Sequence, residues 1–289
     1  MAAKRIGIIG GTGLYEMEGV QQLREVAVDT PFGPPSDAFL VGELGGAEVV
    51  FVPRHGRGHR FTPTEVPYRA NIYALKKLGV DWIISVSAVG SLKAEIAPGH
   101  VVLVDQFIDR TRNRCSTFFE KGLVAHVAFG DPVCGVLRGF LLDAARRTGA
   151  THHDGGTYVC MEGPAFSTKA ESNLYRSWGA SVIGMTNIPE AKLAREAEIS
   201  YATLAMCTDY DCWHADHDDV TVDQVVAVLK ANVALAKDII RAAVPMVVAY
   251  DGPPSARGAL ANAVLTQPHA IPDERRAILA VLTGRSLEA

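Results

Sequence analysis

The sequence predicts an α/β fold, a single domain with a central mixed β-sheet flanked by helices and a short C-terminal helical appendage. Three observations carry that expectation. Short β-rich runs alternate with helical patterns, the mark of a largely buried mixed or parallel sheet. Several of those runs end in glycine, small or charged residues, at the strand exits where such folds place ligands. Neither an internal repeat nor a low-complexity linker divides the chain before a turn-rich stretch, DGPPSARG, that begins after Tyr250.

Strands are expected at 5–9, 48–53, 81–87, 101–105, 199–207 and 245–249. Tyr68, Ile72 and Leu75 fall at helical spacing, and Gly79 stands where a helix end favours a left-handed residue, so a helix is placed at about 66–78. A second helix begins near Asn187, whose side chain can accept a backbone N–H, with Glu190 completing a capping-box pattern. A third runs from Thr221 to about Ala243, carrying Val222, Val225, Val226 and Leu229 on one face. The division that results is 1–250 for the main domain and 251–289 for a helical tail.

Bulk properties narrow the function. The 289 residues are 48% hydrophobic, with 27 glycines and 28 basic against 32 acidic side chains, the composition of an ordinary enzyme able to bury a core. A formal net charge of −4 argues against a nucleic-acid or anionic-membrane partner, which would need a basic surface. No stretch approaches the roughly 20 apolar residues that span a bilayer, and the apolar run after Arg5 reads as a first strand once Gly10, Gly11 and Glu16 interrupt it. Five scattered cysteines without a Cys-x-x-Cys pair suit reduced thiols in the cytoplasm.

Six segments could carry chemistry. Strand 5–9 runs into Gly10-Gly11-Thr12-Gly13, where small residues let N–H groups approach a phosphate; a structural tight turn is the plain alternative. A dinucleotide fingerprint fails there, since Glu16 replaces its third glycine and Gly19 breaks the following helix. Arg54 and His55 leave strand 48–53 beside Arg57, His59 and Arg60, an oxyanion site or a solvated basic loop. Gly56 and Gly58 make the helix needed for His55 and His59 to share a zinc improbable, and no metal is assigned. Ser87-Ala88-Val89-Gly90-Ser91 either wraps a ligand or makes room for a neighbouring helix.

Met161 to Ser167 ends a buried strand in a Gly-Pro turn, with Phe166 able to stack on a planar base or to join the core. Met185-Thr186-Asn187 precedes a helix N-terminus, so Thr186 can join an anion site. Asp209 and Asp211 leave the apolar strand 199–207 two residues apart, an arrangement that separates two carboxyl pKa values over one shared proton. The charged run from His214 to Asp219 is read as solvated surface rather than as a metal site.

Taken together, IGIIGGTGL, DTPFGPPSDA, RHGRGH, YRANIYALK, DQFIDRT, EGPAFST, WGASVIGMTNIPEA and TDYDCW resemble the methylthioadenosine phosphorylases, a branch of the trimeric purine nucleoside phosphorylases, in order from Ile6 to about Ala243. The resemblance implies phosphorolysis of a nucleoside at its glycosidic bond, in a homotrimer, with inorganic phosphate as co-substrate and no cofactor. It implies that Gly10, Thr12, Arg54, His55, Ser87, Ala88 and Thr186 serve the phosphate, with Met185 against the ribose. Phe166 and Ser167 would line the base side, and Asp209 and Asp211 would address the purine, Asp209 as its acid. His126, Val222 and Val225 would line the 5′ substituent, partly across a subunit boundary.

Two positions depart from the family pattern. Ala165 stands where an arginine is expected after Glu-Gly-Pro, and Ser87 replaces a threonine while keeping its hydroxyl. Alternatives within and outside the class are a 6-oxopurine phosphorylase, which would prefer an amide at Asp211, a nicotinamide-dependent dehydrogenase, and a nucleoside-binding module without turnover.

Overall fold

A computed structural model describes residues 3–11, 13–14, 16–214 and 222–285, the side chains of 222–226 excepted. Among the described residues eleven strands form one sheet. Strands β1 (Arg5–Gly10), β4 (Ala47–Pro53), β5 (Trp82–Ser91) and β11 (Ser200–Asp209) are its parallel centre, in which β1 pairs with β4 and β5, and β11 pairs with β5. These are the predominantly apolar runs that burial on both faces demands. Two antiparallel strands, β2 (Gln21–Val26) and β3 (Phe39–Leu44), extend the β4 edge.

Beyond β5 the sheet branches. Antiparallel to its last residues runs β10 (Val182–Gly184), followed in parallel by β9 (Thr157–Met161) and β7 (Gln106–Arg110). From β11 the other branch continues through β6 (Val101–Leu103) to β8 (His152–Asp154). The expected strand 81–87 therefore runs on to Ser91, because residues 87–90, read as a loop, stay paired to β11 and then to β10.

Helices cover both faces. Alternation along the strands sends Ile6, Ile8, Val49 and Phe51 to one face, packed against α2 (Gly135–Arg147) and α5 (Val222–Ala249). Val50, Val52 and Ile83 point the other way, against α1 (Tyr68–Lys77), α4 (Asn187–Glu196) and the tail helix α6 (Asp273–Thr283). Leu260, Ile278, Leu279 and Leu282 bring the tail into that second core. A further helix, α3 (Lys169–Ser177), starts at a capping box of Thr168 and Glu171.

The strand expected at 245–249 is instead the last part of α5. Ala236, Ile239, Ile240, Ala243, Val244 and Val247 keep a helical spacing into the core, and a five-residue apolar run cannot by itself distinguish a buried helix from a strand. Pro245 lies inside this helix, its ring beside the side-chain-free Gly45 at φ +55°. The helix that was expected to end near Ala243 reaches Ala249, and its expected start at Thr221 falls outside the described residues. No helix among the described residues is long and apolar enough to cross a membrane.

Candidate active site

A cavity of about 520 Å³ opens where β1, β4, β5, β9, β10 and β11 end and the first half of the described α5 side chains passes over them. Every expected segment reaches this place. Arg54, His55, Ser87, Ala88, Met185, Thr186, Phe166, Asp209 and Asp211 all line it. Gly10 stands one residue behind the lining Gly11; its carbonyl accepts the Arg54 backbone N–H at 3.0 Å, and the Leu14 side chain fills the space where a Cβ would sit. Thr12 lies outside the described residues.

Arg54 is 4% exposed, and a buried guanidinium must be compensated. Its Nε and Nη2 both reach the Glu190 carboxylate, which is 2% exposed. Nη2 also donates to Ser85 Oγ at 2.7 Å and Nη1 to the Val86 carbonyl at 3.0 Å. Around the pair, Ser85 Oγ and Tyr201 Oη donate to Glu190 Oε2 at 2.8 and 2.9 Å, and Asn187 Nδ2 donates to both Ser85 and Tyr201. Burial opposes the Arg54 charge, but the Glu190 carboxylate outweighs it and raises the guanidinium pKa further.

This network corrects one sequence-based expectation. Asn187 is the first residue of α4 and not its cap; Thr186 holds the cap position without a side-chain cap bond, and Glu190 closes no capping box. Both polar side chains point into the buried cluster, where their partners are Arg54 and Ser85, more than 100 residues away, and Tyr201 and Thr203 of β11.

His55 Nδ1 lies 2.8 Å from the Phe61 carbonyl and must donate to it, which leaves Nε2 as the acceptor of a neutral ring. Burial, helped by the Arg54 charge, lowers the His55 pKa to about 4. The ring of His59, which also lines the cavity, stacks on it at 4.4 Å. Ser87 is 4% exposed with its hydroxyl 3.1 Å from Tyr158 Oη.

At the opposite end, β11 carries one extra residue between Cys207 and Asp209 relative to β5. Thr208 and Asp209 consequently both line the cavity. Asp209 Oδ2 accepts from Thr208 Oγ1 at 2.7 Å and Oδ1 from the Asp211 N–H at 2.8 Å. Asp211 adopts φ +52°, a left-handed conformation that aspartate and asparagine tolerate well. Burial, with the charge of Asp209 adding to it, raises the Asp211 pKa.

Of the other expected contributors, Ser167 and His126 do not line this cavity. The Ser167 hydroxyl lies 3.6 Å from Met161 Sδ, behind the exposed Phe166. His126 is exposed, and its backbone N–H bonds to Ala263 of the tail. Val222 and Val225 belong to α5, but their side chains are outside the described residues. Leu229 and Val233, further along α5, do line the cavity together with Leu14 and Met206. Leu229 was visible on the helical stripe; Val233, Met206 and Leu14 carry no chemical signature that sets them apart from core. Among the described residues no group of three or more His, Cys, Asp or Glu could hold a metal ion.

An α/β sheet that gathers a buried arginine, a histidine, small hydroxyl residues and paired carboxylates at its strand exits matches one class throughout. The chain belongs to the phosphorylase superfamily, whose family model matches residues 5–245. Within it the chain is 62% identical, over 96% of its length and 98% of the relative's, to the S-methyl-5′-thioadenosine phosphorylase of Geobacter sulfurreducens. The crystal structure of a methylthioadenosine phosphorylase sourced from an antarctic soil metagenomic library superposes with a TM-score of 0.94 at 49% identity, covering 98% of this chain and 99% of that one. The Schistosoma mansoni methylthioadenosine phosphorylase in complex with tubercidin matches at a TM-score of 0.82 and 36% identity, covering 89% and 96%.

Proposed function

We propose that the chain catalyses the phosphorolysis of S-methyl-5′-thioadenosine to adenine and 5-methylthioribose 1-phosphate. The observation that carries this reading is the placement of the Arg54, His55, Ser87 and Thr186 cluster and of the Asp209/Asp211 pair in one cavity, together with Met185. The names of the relatives support the choice of nucleoside. Leu14, Met206, Leu229 and Val233 add an apolar wall suited to a methylthio group.

In this reading phosphate occupies the cationic cluster, and the C1′–N9 bond stretches toward an oxocarbenium-like sugar. The cluster acts by positioning and charge complementarity. Adenine departs as N7 gains a proton held by the carboxyl pair. Asp209 is assigned as the donor; burial raises the pKa of Asp211, whose N–H donates to the Asp209 carboxylate, so the proton is held by the pair. Inorganic phosphate is a co-substrate, and neither metal nor organic cofactor has a step to perform.

The site is completed in a homotrimer, in the cytoplasm. An exposed His126, held at the surface by the tail, is disposed to reach a neighbouring subunit's 5′ pocket. The test is a panel of nucleosides with and without phosphate, read by free base. We expect adenine from methylthioadenosine only when phosphate is present, with adenosine a poorer substrate; undiminished release without phosphate would make the enzyme a hydrolase.

A further inference from the structure

Arg114 belongs to no helix or strand, yet its side chain is only 1% exposed. It sits in the loop after β7 and does not line the main cavity. Its guanidinium donates to the carbonyls of Met185 and Glu162, to the Met161 carbonyl at 3.4 Å and to the Tyr68 hydroxyl at 3.2 Å. The Nε, which has no hydrogen-bond partner, lies 3.5 Å from Glu162 Oε1.

Those acceptors mark a boundary in the sheet. Strands β9 and β10 are registered from Val182 with Tyr158 to Gly184 with Cys160, and there their pairing ends. Past that point one chain turns toward Phe166 and the other into α4. The carbonyls that Arg114 gathers belong to the next residues on each side, and Met161 and Met185 both line the cavity. Glu162 carries the tie further: its carboxylate accepts from Thr64 Oγ1 at 2.5 Å and from the Arg112 N–H at 2.6 Å. Thr64 adjoins Pro63, another lining residue.

We infer that Arg114 is a positioning residue, which sets the spacing between the base-side wall at Met161 and the sugar-side floor at Met185 without touching substrate. The inference rests on the phosphorolysis reading above. A planar fork reaches several carbonyls on two strand ends at once, which a lysine ammonium cannot reproduce. A second cavity of about 230 Å³ is lined by Arg114 together with Thr64 and Tyr68, none of which lines the main cavity, and it gives a small solute access to the place the Arg114 side chain fills.

The test compares wild type, Arg114→Ala, Arg114→Lys and Glu162→Gln on methylthioadenosine, measuring kcat and both KM values alongside circular dichroism and Tm. For folded Arg114→Ala we expect nucleoside kcat/KM to fall about 10²-fold, since small misplacements of reacting groups cost that much. Phosphate KM should move far less, Arg114→Lys should recover little, and millimolar guanidinium should restore part of the Arg114→Ala rate, which a merely structural role would not allow. A folded Arg114→Ala enzyme within about twofold of wild type, or a loss that guanidinium leaves unchanged, overturns the inference. Should Arg114→Ala fail to fold, Glu162→Gln decides, with a loss of about tenfold expected and wild-type kinetics overturning it. A wild type that phosphorolyses no nucleoside would instead overturn the functional reading, and this inference with it.

Discussion

Arg54 and Glu190, 136 residues apart in sequence, form an ion pair in which neither side chain is more than 4% exposed. Arg54 faces the cavity and Glu190 stands behind it. Most of the guanidinium's hydrogens are already engaged by Glu190, Ser85 and Val86, so the cation is fixed before any anion arrives. A preorganised charge of this kind would cost no rearrangement on binding the phosphate proposed for this site.

Breaking this pair from either side should therefore be expensive. Glu190→Gln and Arg54→Met should each lower stability by about 3–5 kcal/mol, because each strands a buried charge. The double variant should recover part of that loss while still binding phosphate poorly. Urea unfolding and phosphate KM, measured on all four proteins, give the cycle; additive stability losses would show that the two residues do not interact.

The carboxyl pair should read the purine. A 6-aminopurine offers a donor at N6 and an acceptor at N7, so one ionised and one protonated carboxyl meets both. Asp209→Asn should cut adenine release by about 10²–10⁴-fold through loss of a transferable proton. Asp211→Asn, well tolerated at φ +52°, should lower adenosine turnover and raise that of inosine. Wild-type adenine release by both variants, with no shift in base preference, would remove the pair from the site.

Gly90 tests the same carboxylates from below. A Cβ there would lie 2.9 Å from Asp209 Oδ1 and 3.3 Å from Asp211 Cβ. Gly90→Ala should displace Asp209 and lower kcat/KM by about 10²-fold, while overpacking costs about 1–3 kcal/mol of stability. An unfolded variant, or one with unchanged kinetics, would contradict this expectation.

Away from the site, Glu196 predicts a pH dependence of stability. Burial raises its pKa from 4.5 to about 7, despite hydrogen bonds from the Phe118 N–H and the Thr117 hydroxyl. Between those values the folded protein binds more protons than the unfolded chain, so this contribution is complete below pH 4.5 and is lost as pH rises through about 7. Glu196→Gln should lack that slope. Its Tm relative to wild type should therefore improve as pH rises across this window, and a constant difference would refute the assignment.

The parts of the fold that could be read in the sequence were those whose burial is the same on both faces. The central strands β1, β4, β5 and β11 are dominated by apolar residues and announce themselves. Edge strands do not: β2 is QQLREV, almost wholly exposed, and β8 is the three residues His-His-Asp. Their pairing comes from neighbours and not from their own side chains. In the site, strand exits located most lining residues because small, charged and hydroxyl residues cluster there. Glu190 was misread because its local pattern, three residues after Asn187, imitates a helix cap, whereas its partners are set by tertiary contact. The capping box that does exist, at Thr168 and Glu171, was legible but unused.

The extra residue in β11 gives the site a sensitivity to chain length. Deleting Thr208 would restore regular alternation against β5 and turn the segment beyond it through to the other face of the strand. The carboxylates would then be present in the sequence and absent from the cavity, and no side-chain replacement could bring them back. Over evolutionary time this stretch should accept exchanges of residue far more readily than insertions or losses, because the aim of its carboxylates is set by the counting of residues as much as by their chemistry.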